Sequence, residues 1–190
     1  FEEHEVETLM NYLPDYLVAP LRFAYLTGWR VRSEVLPLLW DNVDLDSCTV
    51  RLDPGTTKNK EGRVIYLTDE LRELLCKQWQ EHANSFQDCP FVFHRSGKRI
   101  RNFYTAWRRA CKDAGLEGRI PHDFRRTAVR NMVRATIPER VAMQMAGHKT
   151  RAVFDRYHIV ADSDLIDAAE KLNKAMGNKT ATVSATMLNY

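Results

Sequence analysis

His122 and Arg125 stand three residues apart, His148 directly follows Gly147, and Tyr157 comes nine residues after that histidine. An imidazole and a guanidinium at i and i+3 share one face of a helix, and Val129 and Met132 continue the same stripe. Because that stripe runs into apolar side chains, Arg125 is expected half buried, where a guanidinium persists only if it is paired or committed to an anionic ligand. A salt-bridged core arginine is the plainer reading. Arg126, Arg130 and Arg134, spaced by four, form a neighbouring stripe that serves as a solvated face or as phosphate contacts. Taken singly, a histidine after a helix-ending glycine is more often a structural hydrogen-bonder than a catalyst, and a lone tyrosine is more often core. Their joint spacing is what raises a chemical reading.

The elements that must position these groups are legible from periodicity. Apolar residues at helical spacing mark helices over Glu2 to Leu13 and Tyr16 to Leu26, with Gly28 able to end the second. A third is expected from Ser33, with Glu34 in its first turn, to about Trp40 despite Pro37. The period then changes: Thr49 to Leu52 and Arg63 to Leu67 are rich in β-branched and aromatic residues, with turn chemistry at Pro54-Gly55 and from Asn59 to Gly62. Helix returns from Leu71 to Trp79, and Phe91 to Phe93 reads as a short buried strand. Further helices are expected over Asn102 to Ala114 closed by Gly115, His122 to Ala135, Pro138 to Met145 closed by Gly147, and Ser163 to Met176 closed by Gly177, with a shorter helical segment carrying Tyr157 between the last two. The fold class is α+β, mostly helical, with a small antiparallel sheet at one side.

With 190 residues, 22.1 kDa and 44% hydrophobic residues, the chain is long enough for one sizeable core and short for two. One domain over residues 1–177 is expected, followed by a polar tail, 178–190, that is a strand, a disordered end or a segment packing on another subunit. No apolar run approaches the roughly 20 residues of a membrane span, and no secretory leader opens the chain. Cys48, Cys76, Cys89 and Cys111 form no C-x-x-C pair, so reduced thiols and a cytoplasmic location are expected. A chain opening at Phe1 without methionine suggests a fragment. The net charge of +3 hides an asymmetry, because Arg95 to Arg151 holds 15 Lys and Arg against four acids. That segment suits a polyanion partner, since each neutralised phosphate releases counterions; a solvated basic surface is the alternative. Arg101, Lys149 and Arg151 lie in it with Arg126 and Arg130, and are candidate DNA contacts. Asp41, Asp44 and Asp46 lack the glycine and spacing of a calcium loop and read as turn chemistry; no metal or other cofactor is expected.

His122-Asp123-Phe124-Arg125, Gly147-His148 and Tyr157 together resemble the C-terminal signature of tyrosine recombinases of the phage integrase family. Thr27-Gly28-Trp29-Arg30, followed by Glu34 and Leu36-Pro37-Leu38-Leu39-Trp40, is similar to the family's first arginine motif, and Thr57-Lys58 resembles its hairpin lysine. The resemblance spans about Phe1 to Met176 with the motifs in family order. Arg30 lies four residues before Glu34 where the commoner spacing is three, which keeps Arg32 as an alternative, and Lys60 competes with Lys58.

The resemblance implies a catalytic set of Arg30, Lys58, His122, Arg125, His148 and Tyr157, and a 3′-phosphotyrosine intermediate. A phenol of pKa about 10 costs roughly 4 kcal/mol to ionise beforehand at neutral pH, so it needs a proton acceptor and a positive field. His122 would be the acceptor, Arg30 and Arg125 would grip the scissile phosphate, His148 would donate to it, and Lys58 would protonate the departing 5′-oxygen. It also implies double-stranded DNA (recombination sites) as partner, a homotetramer on DNA with monomeric or weakly associated free protein, and a small helical domain upstream. The stripe Leu165, Ala169, Leu172 and Met176 would dock on a neighbouring protomer, or else belong to the chain's own core. Two other functions stay open: relaxation of DNA in the manner of a type IB topoisomerase, and a catalytically idle DNA-binding module.

Overall fold

The computed structural model describes residues 1–55, 62–155, 165–166, 168–174 and 176. Helix α1 spans Glu3–Tyr12 and buries Val6, Leu9 and Met10; Glu2 and Glu5 cap it reciprocally, each carboxylate accepting from the other's end of the first turn. Helix α2, Asp15–Thr27, is apolar on most sides and is buried accordingly. Gly28 ends it at φ 71°, and a Cβ there would stand 3.1 Å from the Cβ of Ala128, so the glycine also lets two helices approach closely.

The expected third helix is replaced by a single π turn over Val31–Val35. Val35 and Leu36 donate to the carbonyls five residues back, Arg30 and Val31, at 3.1 and 2.9 Å. A π turn holds one more residue than an α turn. The wider gap between Arg30 and Glu34 is absorbed there, and Leu36 and Leu38 stay in the core. A short 3₁₀ turn, Trp40–Asn42, leads into the sheet.

Three antiparallel strands in the order β1-β2-β3 form that sheet: β1 Val43–Asp44, β2 Thr49–Leu52 and β3 Arg63–Tyr66. Two strands were expected; β1 is a two-residue addition within the acidic stretch read as a turn. Val50 opposes Ile65, and both face inward. Helix α3, Asp69–Ser85, starts on a Thr68 cap and runs beyond the expected Trp79. Phe91 makes only an isolated bridge to Leu39, so the expected strand there is corrected to a hairpin just after it, β4 His94–Arg95 and β5 Lys98–Arg99. Its two-residue turn, Ser96-Gly97, has φ of 49° and 74°, the positive pair that a tight hairpin needs.

Helices α4, Tyr104–Asp113, α5, Asp123–Arg134, α6, Glu139–Ala146, and α7, Arg151–Asp155, complete the described part of this unit. The main core gathers α1 to α4, the sheet and Phe124. A second, smaller cluster joins Ala128, Val129 and Met132 of α5 to Ala142 and Ala146 of α6 and Phe154 of α7. The chain falls into two compact units, Phe1–His158 and Ile159–Tyr190. In the second, residues 165–166, 168–174 and 176 are helical where described, with Leu165, Leu172 and Met176 exposed. Among the described residues, no helix is long and apolar enough to cross a membrane. Lys58, Lys60 and Tyr157 lie outside the described residues.

Candidate active site

Arg125 leaves the first turn of α5 on the buried face, beside Phe124 and Ala128, and is 1% exposed rather than half buried. Its guanidinium reaches three separate segments. Nη1 donates to the Gly28 carbonyl at 2.8 Å, Nη2 to the Gly147 carbonyl at 3.3 Å, and Nε to His148 Nε2 at 2.9 Å. Both carbonyls belong to glycine caps, the ends at which helices expose acceptors. The arginine therefore fastens the end of α2 to the end of α6, and with it the two sequence motifs in which those glycines occur.

His148 follows the cap of α6, is 6% exposed, and packs edge-on against Phe154 at 5.9 Å. Because Nε2 accepts from Arg125, the neutral ring carries its proton on Nδ1. Burial, then the charges of Arg125, Arg30 and Arg63, push its pKa down to about 3. His122 caps α5 and shares the pattern: burial first, then Arg125, Arg30 and Arg126, lower its pKa, which leaves a neutral imidazole able to accept a proton at neutral pH.

Arg30 enters from the π turn. Both oxygens of Glu34 hold it, Oε2 accepting from its backbone N–H at 2.8 Å and Oε1 from Nη1 at 2.5 Å. Glu34 is 1% exposed and also meets Arg63 Nη2 at 2.7 Å. Burial alone would raise this carboxyl's pKa; the Arg63 charge, the Arg30 N–H and the Arg30 charge outweigh it and hold the group below the usual carboxylate range. Neither Glu34 as a shared counter-ion nor Arg63 was a sequence candidate. Glu34 was visible as a first-turn acid and a motif residue, and Arg63 as the first residue of a strand.

Arg30, His122 and Arg125 line one cavity of about 170 Å³, together with Trp29, Arg32 and Tyr104. His148 stands behind it on Arg125. Arg32 lies on the same wall but is exposed, whereas Arg30 is fixed by its carboxylate. The cavity thus presents guanidinium forks beside a neutral imidazole, an arrangement able to bind an anion and take a proton next to it.

The outer cations divide. Arg101 and Lys149 are exposed, Arg126 is exposed with a link to Asp123 at 3.2 Å, and Arg151 pairs with Glu139 at 2.7 Å. Arg130 departs from the expected open stripe. It binds Glu2 through Nη1 and the Phe1 carbonyl through Nη2, with its side chain 22% exposed. A fork spent on α1's cap is a tie between helices rather than a free phosphate contact.

The phage integrase family matches residues 1–164 of the chain. The integrase of Salmonella phage P22 is 27% identical across 96% of this chain, and the chain spans 49% of that relative's length. Among solved structures, the XerA recombinase superposes with a TM-score of 0.75 at 21% identity, covering 90% of this chain and 62% of that one. The XerH recombinase bound to a palindromic difH substrate in a post-cleavage complex gives a TM-score of 0.67 at 17% identity, covering 89% and 52%.

Proposed function

Since the chain belongs to the phage integrase family, we propose that it is the catalytic part of a site-specific recombinase that cleaves and rejoins duplex DNA through Tyr157. The observation that carries this reading is the convergence of Arg30, His122 and Arg125 on one cavity, with His148 bonded to Arg125. In the reaction, the Tyr157 hydroxyl attacks the scissile phosphorus and passes its proton to His122. The bond from phosphorus to the 5′-oxygen breaks, and Lys58 supplies the proton that this oxygen needs. Arg30 and Arg125 neutralise charge on the non-bridging oxygens, and His148, seated behind Arg125, steadies its guanidinium. The 3′-phosphotyrosine keeps the energy of the broken diester, so religation consumes no cofactor.

Arg101, Arg126, Lys149 and Arg151 supply backbone contacts to duplex DNA in this reading, and the difH complex of XerH is the precedent in fold for such a partner. The working assembly is a homotetramer on DNA, with residues 163–190 docking between protomers, and its place is the cytoplasm. The test offers the protein a pool of nicked duplexes with a randomised centre and sequences the strands that resist SDS extraction. A covalent adduct on a defined sequence is expected. Binding without an adduct would point to an idle DNA-binding module. Relaxation of supercoiled plasmid without joining of two duplexes would point to topoisomerase action.

A further inference from the structure

Arg63 opens β3, immediately after the segment that contains Lys58, yet its side chain turns inward and is only 7% exposed. It touches three parts of the site. Nη2 meets Glu34 Oε1 at 2.7 Å, on the oxygen that also accepts from Arg30. Nη1 donates to the Ala146 carbonyl at 2.6 Å, one residue before Gly147 and two before His148. The guanidinium lies over the Trp29 ring at 5.2 Å, and Trp29 in turn donates to the Met145 carbonyl at 3.2 Å. A Cβ at Gly147 would fall on the Arg63 guanidinium, so a side chain there would have to displace it.

A buried carboxylate shared by two guanidiniums divides its charge between them. With Arg63 in place, part of the Glu34 charge is taken up by a second guanidinium, and Arg30 keeps positive charge to spend on an anion in the cavity. Without it, Glu34 would be committed to Arg30 alone and would cancel that charge. The same fork also holds the last carbonyl of α6, whose position decides where His148 stands.

We propose that Arg63 is a positioning residue for DNA cleavage: it shares Glu34 with Arg30 so that Arg30 stays available to the scissile phosphate, and it anchors the Ala146 carbonyl so that His148 stays on Arg125. The inference rests on the recombinase reading. It assigns to the strand behind the hairpin lysine a second duty, the joining of the first arginine motif to the histidine that precedes Tyr157.

The probe is the nicked duplex selected by the wild-type protein from the randomised pool, and the readout is single-turnover formation of the SDS-resistant adduct. Arg63→Ala is expected to slow adduct formation by about 10- to 100-fold, the scale at which outer partners that orient a site act, with DNA affinity nearly unchanged. Arg63→Lys keeps the charge but cannot reach both acceptors, and recovers part of the rate. Adding Glu34→Gln to Arg63→Ala removes the carboxylate that would otherwise cancel Arg30, and is expected to be faster than Arg63→Ala alone. A DNA-free measurement accompanies these. In a ¹³C NMR titration, the Glu34 carboxyl should protonate at higher pH in Arg63→Ala than in wild type. An Arg63→Ala protein that cleaves at the wild-type rate, or whose Glu34 titrates unchanged, overturns the inference. So does a double variant no faster than the single one. Failure of the wild-type protein to form any adduct would instead overturn the recombinase reading, while the carboxyl titration would still judge the Glu34 sharing.

Discussion

Arg125 Nε donates to His148 Nε2 across 2.9 Å, inside a site where both residues are buried. The bond needs an unprotonated Nε2, and the pKa of about 3 keeps it so against an ordinary value of 6.5. An unfolded chain therefore takes up this proton as pH falls through 6.5, whereas the folded one does not until about pH 3. The stabilisation is complete above 6.5 and is lost on acidification, by about 1.4 kcal/mol per pH unit from this one group. Urea unfolding of wild type at pH 7 and at pH 5 should show the loss, with His122 adding to it in the same direction. His148→Gln should flatten the difference, and an unchanged pH dependence in that variant would place the titration elsewhere.

Tyr157→Phe is expected to abolish covalent attachment while leaving DNA affinity close to wild type. The substitution removes one hydroxyl, hence the bond-forming atom, and few contacts. An SDS-resistant adduct in the Phe variant would assign the nucleophile to another tyrosine.

Arg30→Ala and Arg125→Ala should each slow cleavage by at least about 10²-fold, the effect of removing one preorganised charge donor. Both should also lower stability: Arg30→Ala takes one of two guanidiniums from the buried Glu34 carboxylate, and Arg125→Ala breaks three contacts of a buried guanidinium. The second substitution removes the bonds to the Gly28 and Gly147 carbonyls and to His148 Nε2, at about 1.5–3 kcal/mol for each bond lost from a charged donor. Arg126→Ala should weaken DNA binding and lower its salt slope by about one unit. Arg130→Ala should show instead in the melting temperature, because its fork holds Glu2 and the Phe1 carbonyl. Salt titrations of binding beside thermal melts separate the two classes.

Gly147→Ala and Gly115→Ala form a matched pair. Both glycines have positive φ, 73° and 70°, so both variants carry the strain of a left-handed alanine, about 1–2 kcal/mol. At Gly115 nothing lies within 4 Å of the added methyl, whereas at Gly147 the methyl would meet Arg63. The Gly147 variant should melt lower than its partner and cleave much more slowly. Equal melting and equal cleavage would mean that Arg63 can step aside at no cost.

His122 and Arg125 were legible because an i, i+3 pair on an apolar stripe is a local property of one helix. The depth of Arg125 was underestimated, since its partners come from two distant glycine caps that no local spacing announces. The wider step from Arg30 to Glu34 was visible as an irregularity, but a π turn and an α-helix share too many apolar positions for periodicity to separate them. The β4–β5 hairpin is not legible from periodicity, although Ser96-Gly97 between charged residues is a fair turn signal, because strands of two residues are too short to alternate. The Glu34–Arg63 pair joins residues from different motifs, and only the folded sheet brings them together.

The smaller apolar cluster of Ala128, Val129, Met132, Ala142, Ala146 and Phe154 also sets a hierarchy of opening. Alanines make up half of it, and burying a methyl releases far less free energy than burying the leucine and aromatic side chains beneath α2. Helices α6 and α7 should therefore form a cooperative unit that opens before the rest of the domain, taking His148 off Arg125 without global unfolding. Amide hydrogen exchange should register it: protons of residues 139–146 and 151–155 should be replaced well ahead of those in α2, and bound DNA should slow them most. In the free protein the approach to Tyr157 would then breathe on its own, and docking on a duplex would be the event that stills it.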